Sequence, residues 1–229
     1  YKILRALPSF DEVVDMQGLL KSALIARILK GRRWGFDKHS AKEGISALFY
    51  DKTVHIGYAE PIAKRNLTLL NAVFGKSVDS INPPFLMPLC KGKYSYAKGS
   101  VMFAIGSSKE EKRYPKERFV ELANMIDGDI YIIATKKETE DAEFIANRSK
   151  AKIAPHLELH ELTALLSEAF LVVSNDSGVG YMAWGLGVKT VLLFGPTNVD
   201  RFCPNSANVT CLYAKNMGDI DPKEIAKLC

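Results

Sequence analysis

The chain has 229 residues, of which 47% are hydrophobic and 25% charged, with a formal net charge of +5. That describes an ordinary globular protein of one large or two small domains. The positive excess is mild and includes no long Lys/Arg block, which argues against nucleic acid as the partner and leaves room for an anionic substrate. The longest apolar runs, such as residues 190–194, fall far short of the ~18 residues that span a bilayer.

Residues 1–8 carry no signal-peptide pattern and no evident partner. The run FDEVVD (10–15) predicts a short strand, and residues 17–29 a helix with apolar positions at Leu19, Leu20, Ala23, Leu24 and Ile28. A second short strand is expected at 33–36. Ser40 and Glu43 have capping-box spacing and predict a helix reaching about Tyr50. A third helix covers 60–74 and stops at Gly75. Residues 76–99 contain Asn-Pro-Pro, Met-Pro and several Gly and Lys residues, and read as a linker with an irregular strand or two.

A regular alternation follows. Strands are expected at 101–105, 129–134 and 152–154, and helices at 115–126, 138–148 and 158–169. The string SNDSGVGYMAWGLGVKTVLLFGPT (174–197) then reads as strand end, tight turn, small-residue helix and second strand. A strand at 209–213 and a helix at 222–228, capped by Asp221, complete the chain. Alternating strands and helices predict a parallel sheet covered on both faces. The domains are accordingly placed at 1–76, 77–99 (linker) and 100–229. Cys90, Cys203, Cys211 and Cys229 have neither C-x-x-C nor zinc spacing and read as free thiols in a reducing cytoplasm.

Ligands of open α/β sheets bind at the carboxyl edge, and a helix beginning at Ser177 aims free N–H groups there, which suits a phosphate. After the strand at 101–105, the hydroxyls of Ser107 and Ser108 can bond phosphate oxygens, with Lys112 reaching over as a mobile charge. A carboxylate after the next strand can accept two ribose hydroxyls, and Glu138 is one candidate there. Glu140 lies close enough to compete for that assignment, and an acidic helix start serving the dipole is an equally simple reading. His156 and His160 lack a third ligand at matching spacing and read as surface residues. Thr197 and Asp200 read as loop caps.

The 174–197 string, the Ser-Ser…Lys…Tyr-Pro segment and the first-domain stretches VVDMQGLLKSALIARIL and GFDKHSAKEGISALFY together resemble glycosyltransferase family nine, the bacterial heptosyltransferases. They are most similar to the branch that transfers heptose to Kdo. The resemblance implies two Rossmann-like domains of the GT-B type. It also implies a donor site for ADP-heptose formed by Ser107, Ser108, Lys112, Glu138, Leu157, Asp176, Ser177, Gly178 and Val179. In that reading Lys112 stabilises the leaving diphosphate. Lys21, Ser22, Lys42 and Arg65 would meet an acidic acceptor, the Kdo of lipid A, at the membrane surface.

The implied reaction is inverting transfer without a metal ion or cofactor, in the cytoplasm of a Gram-negative cell at the inner face of the inner membrane. Family members begin with a strand and a Gly-Asp turn near their general base. Nothing in residues 1–8 matches it, so the first strand-helix units and the base are expected to be absent from this sequence. Rival readings are a nucleotide-binding module without transfer activity, a family member with a heptose acceptor, and a nucleotide-sugar epimerase, for which the catalytic acids and histidine cannot be placed.

Overall fold

The computed structural model describes residues 2–88 and 92–229, so Cys90 lies outside the described residues. The chain divides into two compact units, one of residues 1–81 with Asp200–Phe202 and one of residues 82–199 with 203–229.

The first unit begins with a short helix, α1 (Lys2–Arg5), and carries a parallel sheet of order β1-β2-β3. Its strands are β1 (Glu12–Val14), β2 (Arg32–Phe36) and β3 (Lys52–Val54), the last of which the sequence pattern does not reveal. Helices α2 (Leu20–Ile28) and α3 (Ile62–Phe74) flank it, and Leu69 packs with Phe36, Ala41 and Ile56 in the core. Gly75 ends α3 with φ 59°, a left-handed cap that costs glycine little.

The helix expected from Ser40 to Tyr50 is not an α-helix but a 3-10 turn, Gly44–Phe49. Its supposed capping residues are used elsewhere. The Ser40 hydroxyl accepts the Ile56 N–H (2.9 Å), and the Glu43 carboxylate accepts the Leu20 N–H (2.7 Å). Partners distant in sequence have displaced the local cap.

The second unit is built on a six-stranded parallel sheet of order β6-β5-β4-β7-β8-β9. The strands are β4 (Val101–Ala104), β5 (Ile130–Ile133), β6 (Lys152–Ile153), β7 (Leu171–Asn175), β8 (Lys189–Phe194) and β9 (Val209–Tyr213). Its helices are α4 (Lys116–Met125), α5 (Thr139–Ala146), α6 (Leu159–Leu166) and α7 (Gly178–Gly185); α8 (Val199–Phe202), which falls largely in the first unit, comes next in the chain, and α9 (Pro222–Ala226) follows β9. One core face gathers Phe103, Phe119, Ile132, Val173 and Leu193, and the other Met102, Leu165, Val172 and Ala183. Strand order reverses between β4 and β7, the switch point at which such sheets open a crevice.

Residues 82–88 belong to this unit and form no strand. The N–H groups of Phe85 and Leu86 both donate to the Gly185 carbonyl (2.9 Å each), and Phe85 meets Trp184 edge to face at 5.0 Å. The free-thiol expectation also needs correction, because Cys203 and Cys211 are joined in a disulfide and only Cys229 is free among the described cysteines. The pairing arises from the chain's return from α8 to β9, which cysteine spacing does not encode.

The α7 helix lies against the sheet through Gly180, where an added Cβ would sit 2.4 Å from Leu192 Cδ2 and 2.9 Å from Ser174 Oγ, both of them buried. Gly180→Ala should therefore lower stability by about 1–3 kcal/mol in a denaturant melt, as overpacked cores do. An unchanged midpoint would show that the helix can move away from the sheet at no cost.

Candidate functional site

A cavity of about 430 Å³ opens at the carboxyl edge of the second unit's sheet, lined by the loops after β4, β5, β6 and β7. Its size is ordinary for a small-ligand site. Ala104, Ile133, Ala154, Leu157, Leu165 and Val179 give it an apolar lining, while Ser107, Ser108, Thr135, Glu138 and Ser177 supply polar groups. The Ser107 hydroxyl is buried without a hydrogen-bond partner among the described residues. An unmet buried hydroxyl is costly unless a ligand completes it.

At the start of α7 the N-cap residue Ser177 makes no side-chain cap bond. The first amides of the helix are therefore open to an anion. An added Cβ at Gly178 meets nothing within 4 Å, so a side chain at this first position of the helix would enter open space.

Beside the cavity, two adjacent residues at the end of β7 organise the charged loop after β4. Asn175 is buried; its amide donates to the Ile105 carbonyl (2.7 Å) while its oxygen accepts the Tyr114 N–H (3.0 Å). Asp176 accepts Lys112 Nζ (2.7 Å) and the Thr197 hydroxyl (2.8 Å) on one oxygen and the Tyr181 hydroxyl (3.2 Å) on the other. Burial, and then the neighbouring Asp176, push the Tyr181 hydroxyl well above the ordinary tyrosine range, so it stays a donor. Thr197 thus joins the Gly-Pro-Thr turn to the Asp-Ser-Gly turn, a link the sequence does not reveal.

Glu138 is 4% exposed and sits at the cavity. One oxygen accepts the Thr135 N–H and hydroxyl, closing a capping box, and the other accepts Arg113 at 3.2 Å. Glu140 is exposed on the first turn of α5 and does not line the cavity. His156 is at the cavity mouth, next to Leu157.

The first unit treats its four candidate residues differently. Lys21 and Lys42 are exposed and pair with no carboxylate among the described residues. The loop carrying Lys42 is tied to the start of α2, where the Glu43 N–H donates to the Gly18 carbonyl (2.9 Å). Ser22 is turned inward, donating to the buried Asp15 at 2.7 Å. Asp15 also accepts the Tyr50 hydroxyl (2.6 Å), whose pKa is raised by burial and then by this bond.

Arg65 is only 2% exposed. Its guanidinium donates to the carbonyls of Ser40 (2.6 Å), Gly57 (2.7 Å) and Ile56 (3.2 Å) and lies 4.5 Å from the Phe36 ring centre. In this geometry the side chain supports the Ser40–Lys42 loop from below, with most of its donors already in use.

Two parallel α/β units, one with a nucleotide-sized crevice at its switch point, define a two-domain Rossmann-like protein of the GT-B type. The chain belongs to glycosyltransferase family 9 (heptosyltransferase), which it matches over residues 2–226. It is 30% identical over 212 residues to the lipopolysaccharide heptosyltransferase 1 of Campylobacter coli, covering 82% of this chain and 62% of that protein. The Salmonella typhimurium protein of the same name is 25% identical over 235 residues, 94% of this chain and 71% of the relative. The chain thus spans a little under two thirds of the Campylobacter protein. Among solved structures, E. coli heptosyltransferase WaaC with ADP superposes with a TM-score of 0.84 at 22% identity, over 96% of this chain and 72% of that one. That likeness establishes the fold.

Two consequences are measurable. Gly178→Ala should leave the melting midpoint essentially unchanged yet weaken ADP binding in calorimetry, since its methyl enters only open space at the first position of α7; equal ADP affinity would remove the helix end from the site. Arg65→Ala should cost at least about 2 kcal/mol of stability, because several buried carbonyls lose their donor. A variant as stable as the parent would return Arg65 to the list of ligand-facing cations.

Proposed function

We propose that the second unit holds ADP-heptose and that the protein transfers its heptose to Kdo of the lipopolysaccharide inner core, at the inner face of the cytoplasmic membrane. The observation carrying this reading is the cavity that brings Ser107, Ser108, Glu138, Leu157, Ser177 and Val179 to one sheet edge, with Lys112 and Asp176 beside it. The apolar lining suits a purine, and Leu157 lies where the ring would rest. Glu138 meets the ribose. Ser107, Ser108 and the α7 amides at Gly178 and Val179 meet the diphosphate.

In the proposed reaction an acceptor hydroxyl attacks the anomeric carbon from the face opposite the diphosphate. The new C–O bond forms as the bond to the β-phosphate breaks. ADP leaves with the electron pair, and the hydroxyl proton passes to a general base. Lys112, held 2.7 Å from Asp176, is placed to shift onto the phosphate as charge builds there. Such a cation, together with the α7 amides, can do the work that Mg²⁺ performs in other transferases. Lys21 and Lys42, exposed and unpaired among the described residues, are the cations proposed for the carboxylate and phosphate groups of the acceptor.

ADP titrated into the chain in EDTA should bind as tightly as in Mg²⁺. Binding that required the metal would overturn the metal-free donor site. Lys112→Ala should weaken ADP binding by about 1–3 kcal/mol, the value of a charge-assisted contact. An unchanged dissociation constant would leave Lys112 as a structural partner of Asp176 alone.

A further inference from the structure

Arg113 stands apart from the donor residues that the family resemblance supplies, yet its side chain connects two of them. One terminal nitrogen, Nη2, lies 3.3 Å from the Ser107 carbonyl and 3.2 Å from Glu138 Oε1, and its two hydrogens suffice for both bonds. The residue is fastened on either side. Lys112 is held by Asp176, and the Tyr114 N–H by Asn175, with the Tyr114 hydroxyl donating to the Ile220 carbonyl at 2.9 Å. With both neighbours fixed, the Arg113 side chain is aimed at the loop after β5. Its Nε is buried without a hydrogen-bond partner among the described residues, while the side chain as a whole is half-buried.

Glu138 shows what the bridge accomplishes. A carboxylate offers roughly four lone-pair positions. Thr135 takes the positions on Oε2 through its N–H and hydroxyl, and Arg113 takes one on Oε1. Gly106 closes over the group, since an added Cβ there would stand 3.4 Å from Oε2. The carboxylate is thereby locked in orientation with capacity left on Oε1 alone. That oxygen is tied through one Arg113 nitrogen to the Ser107 carbonyl, which belongs to the neighbouring loop after β4.

We propose that Arg113 is a positioning residue for ribose recognition. It fixes Oε1 of Glu138 toward the ribose hydroxyls and sets that oxygen's distance from the diphosphate-binding Ser107 loop. This rests on the reading of the cavity as a donor-nucleotide site. Lysine is a poor substitute, because a single ammonium does not reproduce the rigid fork that spans both loops.

The test compares ADP with 2′,3′-dideoxy-ADP by calorimetry on the parent chain and on Arg113→Ala, Arg113→Gln and Arg113→Lys, each checked by a thermal melt. The parent should favour ADP by roughly tenfold or more, as expected for hydrogen bonds to a charged acceptor. In the Ala and Gln variants the preference should shrink to about threefold or less, with dideoxy-ADP affinity nearly unchanged, and Lys should fall between. An equal loss for both nucleotides, or an unaltered preference, would overturn the assignment. The Gln variant decides if the Ala protein does not fold. A parent chain that binds ADP without preferring it would remove Glu138 from the ribose, and this proposal with it. A parent that binds neither nucleotide would instead refute the donor site itself.

Discussion

The second unit's crevice depends on how β7 ends. A strand in the middle of a parallel sheet has no freedom to move, and Asn175 and Asp176 at its carboxyl end inherit that rigidity. The buried amide of Asn175 binds the carbonyl that ends β4's extension and the N–H that begins the α4 segment. The charged loop from Ser107 to Tyr114 is thus held at both ends by one side chain. Asp176 then sets the loop's interior by gripping Lys112. Loops that bind ligands are often mobile, and this one derives its order from polar groups that only a buried strand end could present without strain.

The two units use their buried charge differently. In the second, the charged side chains connect loops around a cavity and leave Ser107 and the start of α7 unmet. In the first, Arg65 and Asp15 are consumed in holding up backbone, and the cations left exposed are on the surface of what they hold. A buried arginine that satisfies several carbonyls specifies the path of a loop as effectively as a hydrophobic contact.

Legibility followed locality. The βα alternation after residue 100 was readable because each helix carries its own punctuation, as with Pro115 before α4 and Asp221, whose carboxylate accepts the Lys223 N–H at 2.9 Å. The stretch from Ser40 to Val54 was not, because Ser40 and Glu43 find partners 16 and 23 residues away. The capping spacing there was real but outcompeted. The proposed donor residues could be named from the family pattern, since most of them sit just after strand ends in a fixed order. Arg113 and Thr197 could not, because their contacts run between loops that share no spacing, whereas Thr135 stands at local capping-box spacing from Glu138. The disulfide escaped notice for the same reason.

The pairing of Lys112 with Asp176 also determines what the crevice ignores. A lysine already bonded to a carboxylate presents little net field to the solution, so a passing anion feels almost no pull from it. To win the ammonium, a ligand must displace an intramolecular rival that has no translational freedom to lose. Orthophosphate has only its own charge for that exchange. A nucleotide seated first in the apolar slot arrives with its diphosphate already tethered, at a high local concentration. In the proposed donor site the ion pair would therefore act as a threshold, favouring anions attached to a base over free ones.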